Sequence, residues 1–229
     1  MTDKSESRTV VVTGGSSGLG AAVVALLGER GDHPVVVDRR APEAAVDFVQ
    51  VDLADRRRAE QVVGDLATDG LDAVVTAAGI DACGRLDDVS ATDWERVVAV
   101  NLLGTVSVVR AAVPALRERR GRVVTVASTL GLRALPDATA YCASKFGVVG
   151  FSRALAAELA GDVGVTCLVP GGMSTPFFDG RPDQYRPPSD ADLNDPRRVA
   201  GAVLFALDQP WGCEVREIVV CPAHETSWP

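Results

Sequence analysis

Lysine is nearly absent from this sequence. The chain has 23 lysines and arginines in total, but only Lys4 and Lys145 are lysines. Tyrosine is also rare, with two in 229 residues, and Tyr141 lies four positions before Lys145 in the stretch AYCASKFGVVG. Residues four apart on a helix lie on the same face. Because both residue types are so scarce, the spacing favours a functional pair over an ordinary amphipathic one.

Three further absences exclude classes of function. The formal charge is −8 and no basic block is longer than DRRR at 55–58, which disfavours nucleic-acid binding. The five cysteines form no C-x-x-C pair, so they indicate neither a metal site nor a disulfide framework. No apolar run approaches the length of a membrane span, and the N-terminus lacks the pattern of a signal peptide. We therefore expect a cytoplasmic protein with no metal, membrane or nucleic-acid partner.

Valine-rich runs alternate with longer helical patterns along the chain. This alternation is typical of βαβ units in a parallel sheet that is covered on both faces. The strand candidates are residues 8–14, 33–38, 47–52, 72–77, 121–128, 163–170 and 214–221. The helix candidates are residues 18–30, 55–69, 92–119, 140–160 and 195–208. We predict one α/β domain over residues 1–229, a doubly wound Rossmann fold whose seven-stranded parallel sheet has the order 3-2-1-4-5-6-7.

One connection is much longer than the others. Residues 174–196 contain five prolines and little hydrophobic periodicity. An irregular segment of this length in a compact domain is usually functional or disordered. We predict that it is a lid that covers the substrate site. By contrast, the connection 39–46 is too short for a full helix.

A glycine-rich turn follows the first strand. Gly14, Gly18 and Gly20 allow a tight turn and the close approach of a pyrophosphate to a helix N-terminus. The second strand ends in Asp38, a position from which a carboxylate binds the adenosine ribose of NAD. Arg39 and its neighbour Arg40 keep NADP open as the alternative, because an arginine here can bind a 2′-phosphate. NAD is the preferred prediction.

These motifs resemble those of the classical short-chain dehydrogenase/reductase family, from about residue 8 to the C-terminus. The glycine pattern T-G-x-x-x-G-x-G runs from Thr13 to Gly20, and Y-x-x-x-K is Tyr141 to Lys145. The family's catalytic serine and asparagine correspond to Ser128 and Asn101. One motif departs from the pattern, because the family's N-N-A-G is Thr-Ala-Ala-Gly at residues 76–79. This departure puts a structural hydrogen bond in doubt more than it does catalysis.

The resemblance also implies a set of cofactor contacts and an assembly. The implied cofactor-binding residues are Gly14, Ser16, Ser17, Gly18, Leu19, Gly20, Asp38, Arg39, Asp52, Leu53, Ala78, Gly79, Tyr141, Lys145, Pro170, Gly171, Met173 and Thr175. Asp52 would lie near the adenine and Thr175 would hold the nicotinamide carboxamide. A homotetramer or homodimer would form through the helices at 92–119 and 140–160.

The catalytic set can also be argued from chemistry. Hydride transfer to or from a carbonyl carbon needs a proton donor or acceptor at the oxygen, and Tyr141 is the candidate. The ammonium of Lys145 would favour the phenolate, bond ribose hydroxyls and pass a proton, which a guanidinium cannot do. Ser128 would stabilise the charge on the substrate oxygen. By resemblance, Asn101 would hold a water that connects Lys145 to solvent.

We therefore predict an oxidoreductase that transfers a hydride between NAD(P) and a secondary alcohol or ketone. A non-catalytic dinucleotide sensor or scaffold with the same fold is the alternative, although such a protein needs no proton relay. A dehydratase or epimerase of the extended relatives would need a larger C-terminal substrate domain. The sequence does not identify the substrate, because fold does not determine function.

Overall fold

The computed structural model describes residues 7–227, so Lys4 lies outside the described residues. The seven described strands form a parallel sheet in the order β3-β2-β1-β4-β5-β6-β7, which confirms the predicted Rossmann topology. The strands are β1 (Thr9–Thr13), β2 (His33–Asp38), β3 (Asp47–Gln50), β4 (Ala73–Thr76), β5 (Arg122–Val126), β6 (Gly164–Pro170) and β7 (Glu217–Val220). The strand order reverses at β1 and β4, and a ligand crevice is expected at the carboxyl ends there.

Six α-helices connect the described strands. They are α1 (Gly18–Glu29), α2 (Arg56–Ala67), α3 (Ala91–Val98), α4 (Thr105–Arg119), α5 (Thr139–Glu158) and α6 (Pro196–Leu207). The helix predicted at 92–119 is continuous, but Ala99–Gly104 has π-helical hydrogen bonding between α3 and α4. The connection 39–46 contains no helix, as its length predicted.

The valine-rich strands are buried because helices cover both faces of the sheet. In β1, the side chain of Val11 belongs to one apolar core, whereas Val10 and Val12 belong to the core on the opposite face. All three have no exposed surface. The period-two alternation of a strand thus places every valine of this run in a core. This packing holds the carboxyl ends of the central strands in place.

Two predicted segments differ in detail. The last strand was predicted at 214–221 but pairs with β6 only from Glu217 to Val220, because it is an edge strand with one neighbour. The segment 174–196 is largely irregular, yet it contains two short 3₁₀ turns, Pro176–Phe178 and Asp183–Tyr185. Prolines cannot continue a hydrogen-bonded helix, which limits these turns to three residues each.

The continuous helix Ala91–Arg119 is long and apolar enough to cross a membrane by length and composition. Its most apolar window has a mean hydropathy of 1.7, which the sequence alone did not lead us to expect. Half of that window is buried in the protein, and Val108, Val109, Ala112 and Leu116 have no exposed surface. The apolar character of this helix is therefore accounted for by its packing against the sheet.

Candidate active site

A tight backbone turn connects β1 to α1. Gly14 has a φ of +70°, and a Cβ atom added there would lie 2.6 Å from the Cα atom of Ala78. Gly18 has a φ of +53°, and a Cβ atom there would lie 3.4 Å from the Cβ atom of Thr175. Gly14 is therefore required for steric room, and Gly18 for its left-handed backbone. The turn brings residues that follow β1, β4 and β6 together at one edge of the sheet.

The N-terminus of α1 fits the pyrophosphate of a dinucleotide. Ser17 is the N-cap residue, but within the described residues its side chain makes no capping hydrogen bond. The first turn of α1, which includes Leu19 and Gly20, contains no acidic residue. A helix N-terminus without a cap leaves backbone N–H groups that favour negative charge. The residues present therefore fit the cofactor that the glycine pattern predicts.

Asp38 lies at the end of β2, beside the glycine-rich turn. One carboxylate oxygen accepts a hydrogen bond from the backbone N–H of Ser16 at 3.1 Å, and the other accepts from Arg40 N–H at 3.2 Å. Each oxygen keeps a free acceptor position for a ribose hydroxyl. The side chain of Arg39 is exposed, and its backbone carbonyl accepts from Gln50. The structure thus keeps both a ribose acceptor and a nearby guanidinium.

The expected adenine side of the site is built around Asp52. Arg96 donates to Asp52 Oδ2 at 2.6 Å, and the backbone N–H of Ala54 donates to Oδ1 at 2.9 Å. Burial raises the pKa of Asp52, but these hydrogen bonds outweigh it, so the pKa lies below its ordinary value. Leu53 is buried, and a Cβ atom on Gly104 would lie 2.9 Å from its Cβ atom. Asp52 is thus held as a carboxylate next to the core.

Residues 76–79, which read Thr-Ala-Ala-Gly where the family has N-N-A-G, include one side chain without a hydrogen bond in the described part of the chain. The Oγ1 atom of Thr76 is buried and has no hydrogen-bond partner among the described residues. The backbone N–H of Ala78 still contacts Thr13 Oγ1 at 3.4 Å. A Cβ atom on Gly79 would lie 3.6 Å from Lys145 Nζ. The departure therefore leaves one polar atom unpaired among the described residues but keeps this segment in place beside Lys145.

Tyr141 and Lys145 lie on one face of α5, and both are buried. Ser128 lies just after β5, where its hydroxyl accepts a hydrogen bond from the N–H of Leu130 at 3.1 Å. The Ser128 side chain is also a hydrogen-bond partner of Tyr141, so the two hydroxyls lie within reach of each other. The ammonium of Lys145 donates to the backbone carbonyl of Val126 at 2.8 Å. Its Nζ atom lies 5.6 Å from the centroid of the Tyr141 ring.

Burial dominates the electrostatics of this pair. Burial raises the pKa of Tyr141 above its ordinary value, and a hydrogen bond with the Ser128 side chain opposes this rise only in part. Burial also lowers the pKa of Lys145 from 10.5 to about 8. The ammonium of Lys145 is directed to Val126 and burial dominates at Tyr141, so the effect of Lys145 on the phenolate stays a prediction. The phenol is held neutral, as a proton donor.

Asn101 lies in the π-helical segment, 1% exposed. Its Nδ2 donates to the carbonyl of Ile80 at 2.9 Å and to the hydroxyl of Ser144 at 3.0 Å. Its Oδ1 accepts from the N–H of Ile80 at 2.8 Å. A Cβ atom on Gly79 would lie 3.7 Å from this Oδ1 atom, so Asn101 and Lys145 flank the same glycine. The structure brings all four predicted catalytic residues to one region.

The predicted P-G motif closes the site on the far side of the glycine turn. The N–H of Gly171, which follows Pro170, donates to the carbonyl of Val220 at 2.9 Å. Met173 forms an isolated parallel bridge with Asn194 at the end of the segment 174–196. Thr175 caps the first 3₁₀ turn of that segment. The motif therefore anchors both ends of the segment near the glycine-rich turn.

The segment 174–196 lies against Tyr141. The ring of Phe177 is 5.6 Å from the ring of Tyr141, centroid to centroid, and is tilted by 51°. The guanidinium of Arg181 pairs with Asp81 at 2.8 Å. The hydroxyl of Tyr185 donates to Asp137 at 3.3 Å. These contacts hold the segment beside Tyr141.

Sequence reasoning missed several residues around the site. Glu225 accepts a hydrogen bond from the N–H of Gly172 at 2.7 Å and bonds to Ser227. Ser227 in turn shares a hydrogen bond with Thr129, directly after Ser128. Arg181 and Asp81 were also missed. No pattern signalled these residues, because their partners are remote in sequence and their types are ordinary for loops.

Comparison with known proteins agrees with this geometry. A family model described as short chain dehydrogenase matches residues 8–186. An uncharacterised oxidoreductase of Staphylococcus aureus (strain MW2) is 34% identical over 236 residues, covering 97% of this chain and 98% of that protein. A glycine betaine reductase of Emericella nidulans is 33% identical over 240 residues. That match covers 95% of this chain but only 19% of the larger protein.

Two solved structures share the fold. The aldohexose dehydrogenase of Thermoplasma acidophilum, in ligand-free form, has a TM-score of 0.83 and 21% identity, covering 94% of this chain and 92% of that one. The alcohol dehydrogenase of the archaeon Thermococcus sibiricus, in complex with 5-hydroxy-NADP, has a TM-score of 0.83 and 23% identity, with coverage of 94% and 96%. Because the family model matches most of the sequence, the chain belongs to the short-chain dehydrogenase family and is an oxidoreductase of that family.

Proposed function

We propose that the protein transfers a hydride between NAD(P) and a secondary alcohol or ketone, with Tyr141 as the general acid and base. One observation carries this proposal. A neutral buried phenol, a serine hydroxyl that hydrogen-bonds to it and a buried lysine lie together beside a glycine turn that fits a dinucleotide. A sensor or scaffold has no use for this set of residues, so we rank that alternative second.

In ketone reduction each of these residues has a separate role. Bound reduced nicotinamide would supply the hydride to the carbonyl carbon. Tyr141, which its raised pKa keeps protonated, donates its proton to the carbonyl oxygen as the hydride arrives at the carbon. Ser128 donates a hydrogen bond to the same oxygen and stabilises the charge that develops there. Lys145, whose pKa of about 8 is close to neutral pH, then passes a proton toward Tyr141. In alcohol oxidation the proton transfers run in reverse.

We propose NAD as the preferred cofactor, with NADP as the alternative. The free acceptor positions of the Asp38 carboxylate match the two ribose hydroxyls of NAD, and its charge repels a 2′-phosphate. Substitution of Asp38 by alanine should reduce this repulsion and raise the NADP to NAD ratio of kcat/KM about tenfold or more. A wild-type enzyme that prefers NADP would overturn this assignment.

The test of the activity is a screen of ketones and secondary alcohols against both cofactors, followed by the absorbance of the reduced nicotinamide. Turnover of at least one substrate is expected. In Tyr141→Phe, turnover should fall by about 10²–10⁴-fold, because the general acid is lost, while cofactor affinity stays within a few-fold of wild type. Substantial residual turnover in this variant would contradict the role of Tyr141.

The setting of the enzyme is also a proposal. The five cysteines are free, which favours the reducing cytoplasm. A homotetramer or homodimer through α4 and α5 is supported by Phe146, which is 44% exposed on α5, and by Gly150, which faces open space. Gly147, in contrast, serves internal packing against Leu102. Light scattering of wild type and Phe146→Glu tests this interface, since the variant should dissociate.

A further inference from the structure

A buried ion pair joins the segment 174–196 to the residues that follow β4. Arg181 Nη2 lies 2.8 Å from Asp81 Oδ2, and the two side chains are 15% and 5% exposed. The thiol of Cys83 also donates to Asp81 Oδ2, at 3.2 Å. Burial and the nearby Asp81 raise the pKa of Cys83 to about 12, so this thiol stays a neutral donor. The cluster therefore pairs one positive with one negative charge, and a second carboxylate, Asp137, is close enough to raise the pKa of Cys83 as well.

The ion pair lies one aromatic ring away from the catalytic phenol. The guanidinium carbon of Arg181 is 4.7 Å from the ring centroids of both Phe177 and Phe178. Phe177 in turn packs against the Tyr141 ring. Both charges also act on Tyr141, since Asp81 raises its pKa and Arg181 lowers it. A substrate whose carbonyl oxygen meets Tyr141 would therefore extend toward these rings and this pair.

Asp81 determines what Arg181 can bind. The Nε atom of Arg181 is buried and has no hydrogen-bond partner among the described residues, so the guanidinium keeps an unused donor. A guanidinium binds carboxylates by preference, and a buried one without a partner would attract an anionic substrate. Asp81 already occupies that role within the protein. The wall of the site thus combines aromatic rings with a charge pair that has no net charge.

We propose that Asp81 is a specificity-determining residue, which neutralises Arg181 and so restricts the site to uncharged, apolar or aromatic carbonyl substrates and excludes keto acids. This inference rests on the proposed function and deepens it. The rival interpretation is that the pair only holds the segment in place. A purely structural pair would affect neutral and anionic substrates equally, whereas a specificity determinant changes their ratio.

The experiment uses two substrates of nearly the same shape, benzoylformate and its methyl ester, which differ in charge. For wild type, kcat/KM for the ester should exceed that for the acid by about tenfold or more. In Asp81→Asn, which is nearly isosteric, the free guanidinium should shift this ratio by at least about tenfold toward the acid. In Asp81→Asn combined with Arg181→Met, the preference for the ester should return.

The matched control is Tyr185→Phe, which removes another contact of the same segment, to Asp137, without changing charge. Its ester to acid ratio should equal that of wild type. Circular dichroism identifies a variant that fails to fold, because loss of one partner of a buried pair is destabilising. If Asp81→Asn is unfolded, the ester to acid ratios of wild type and of the neutral double variant still test the proposal.

The outcomes separate this inference from the proposed function. Equal use of acid and ester by wild type, or a proportional loss of both in folded Asp81→Asn, would overturn the specificity role. The specificity role would also be overturned if wild type reduced another ketone through Tyr141 but did not reduce the ester. If wild type shows no Tyr141-dependent turnover of any carbonyl compound, the proposed function itself fails.

Discussion

The two halves of the site are built in different ways. The part that we propose binds the cofactor, the cofactor half, is built mainly from backbone groups, such as the N–H of Ser16 bonded to Asp38. The part around the segment 174–196, our proposed lid and hereafter the lid half, uses side chains, such as those of Asp81 and Arg181, which are one hundred positions apart. Backbone geometry tolerates few residue types, whereas side-chain contacts can change with the substrate. We therefore propose that the first half serves cofactor binding and the second half the choice of substrate.

The largest effect is expected in the cofactor half, where Gly14→Ala places a Cβ atom against the backbone of Ala78. Overpacking and a left-handed backbone should together lower the free energy of unfolding by about 2–5 kcal/mol and weaken cofactor binding.

The matched control is Gly28→Ala in α1, whose Cβ atom would meet no neighbouring atom within 4 Å among the described residues. This change should raise stability by about 0.5–1 kcal/mol. Denaturant titrations measure both, and equal effects would contradict the steric argument.

An intermediate effect is expected where the halves meet, at Lys145. Burial lowers the pKa of Lys145 from 10.5 to about 8. Below pH 8 the buried side chain is therefore charged, and the full cost of burying this charge lowers the free energy of unfolding. Between pH 8 and 10.5 the folded protein releases this proton while the unfolded chain keeps it, so stability rises with pH. Relative to Lys145→Met, wild type should gain about 3 kcal/mol across this range.

The measurement for Lys145 is denaturant unfolding of both proteins, without added cofactor, at pH values from 7 to 10.5. The difference between them is compared, because other groups that titrate in this range contribute to both proteins. The variant should also lose activity, since it cannot pass a proton. A stability difference that does not change with pH would show that Lys145 is not buried as described.

The smallest effect is expected in the lid half at Tyr185, whose hydroxyl bonds to Asp137. Loss of this hydrogen bond in Tyr185→Phe should cost about 1 kcal/mol or less. We expect KM for the substrate to rise about twofold with kcat and cofactor affinity unchanged, because the lid contact is remote from the chemistry. Steady-state kinetics provides the check. A changed cofactor affinity would mean that the two halves are not independent.

Much of the fold and of the cofactor half could be predicted because short-range patterns specify them. The valine runs predicted the seven strands, and the spacing from Gly14 to Asp38 predicted the βαβ unit and its turn. Tyr141 and Lys145 were placed on one face of α5 by helical periodicity alone. The direction of the Lys145 ammonium could not be predicted, because it depends on the Val126 carbonyl nineteen residues away.

The sequence by itself determined the topology, the need for glycine at the first turn and the chemical identity of the relay, since each follows from local residue types and spacing. Tertiary structure alone decided that burial keeps Tyr141 neutral and lowers the pKa of Lys145. It also decided that Asp81 neutralises Arg181 beside Phe177. The physical reason is that desolvation and charge pairing depend on which remote side chains the fold brings together, and no local pattern encodes that.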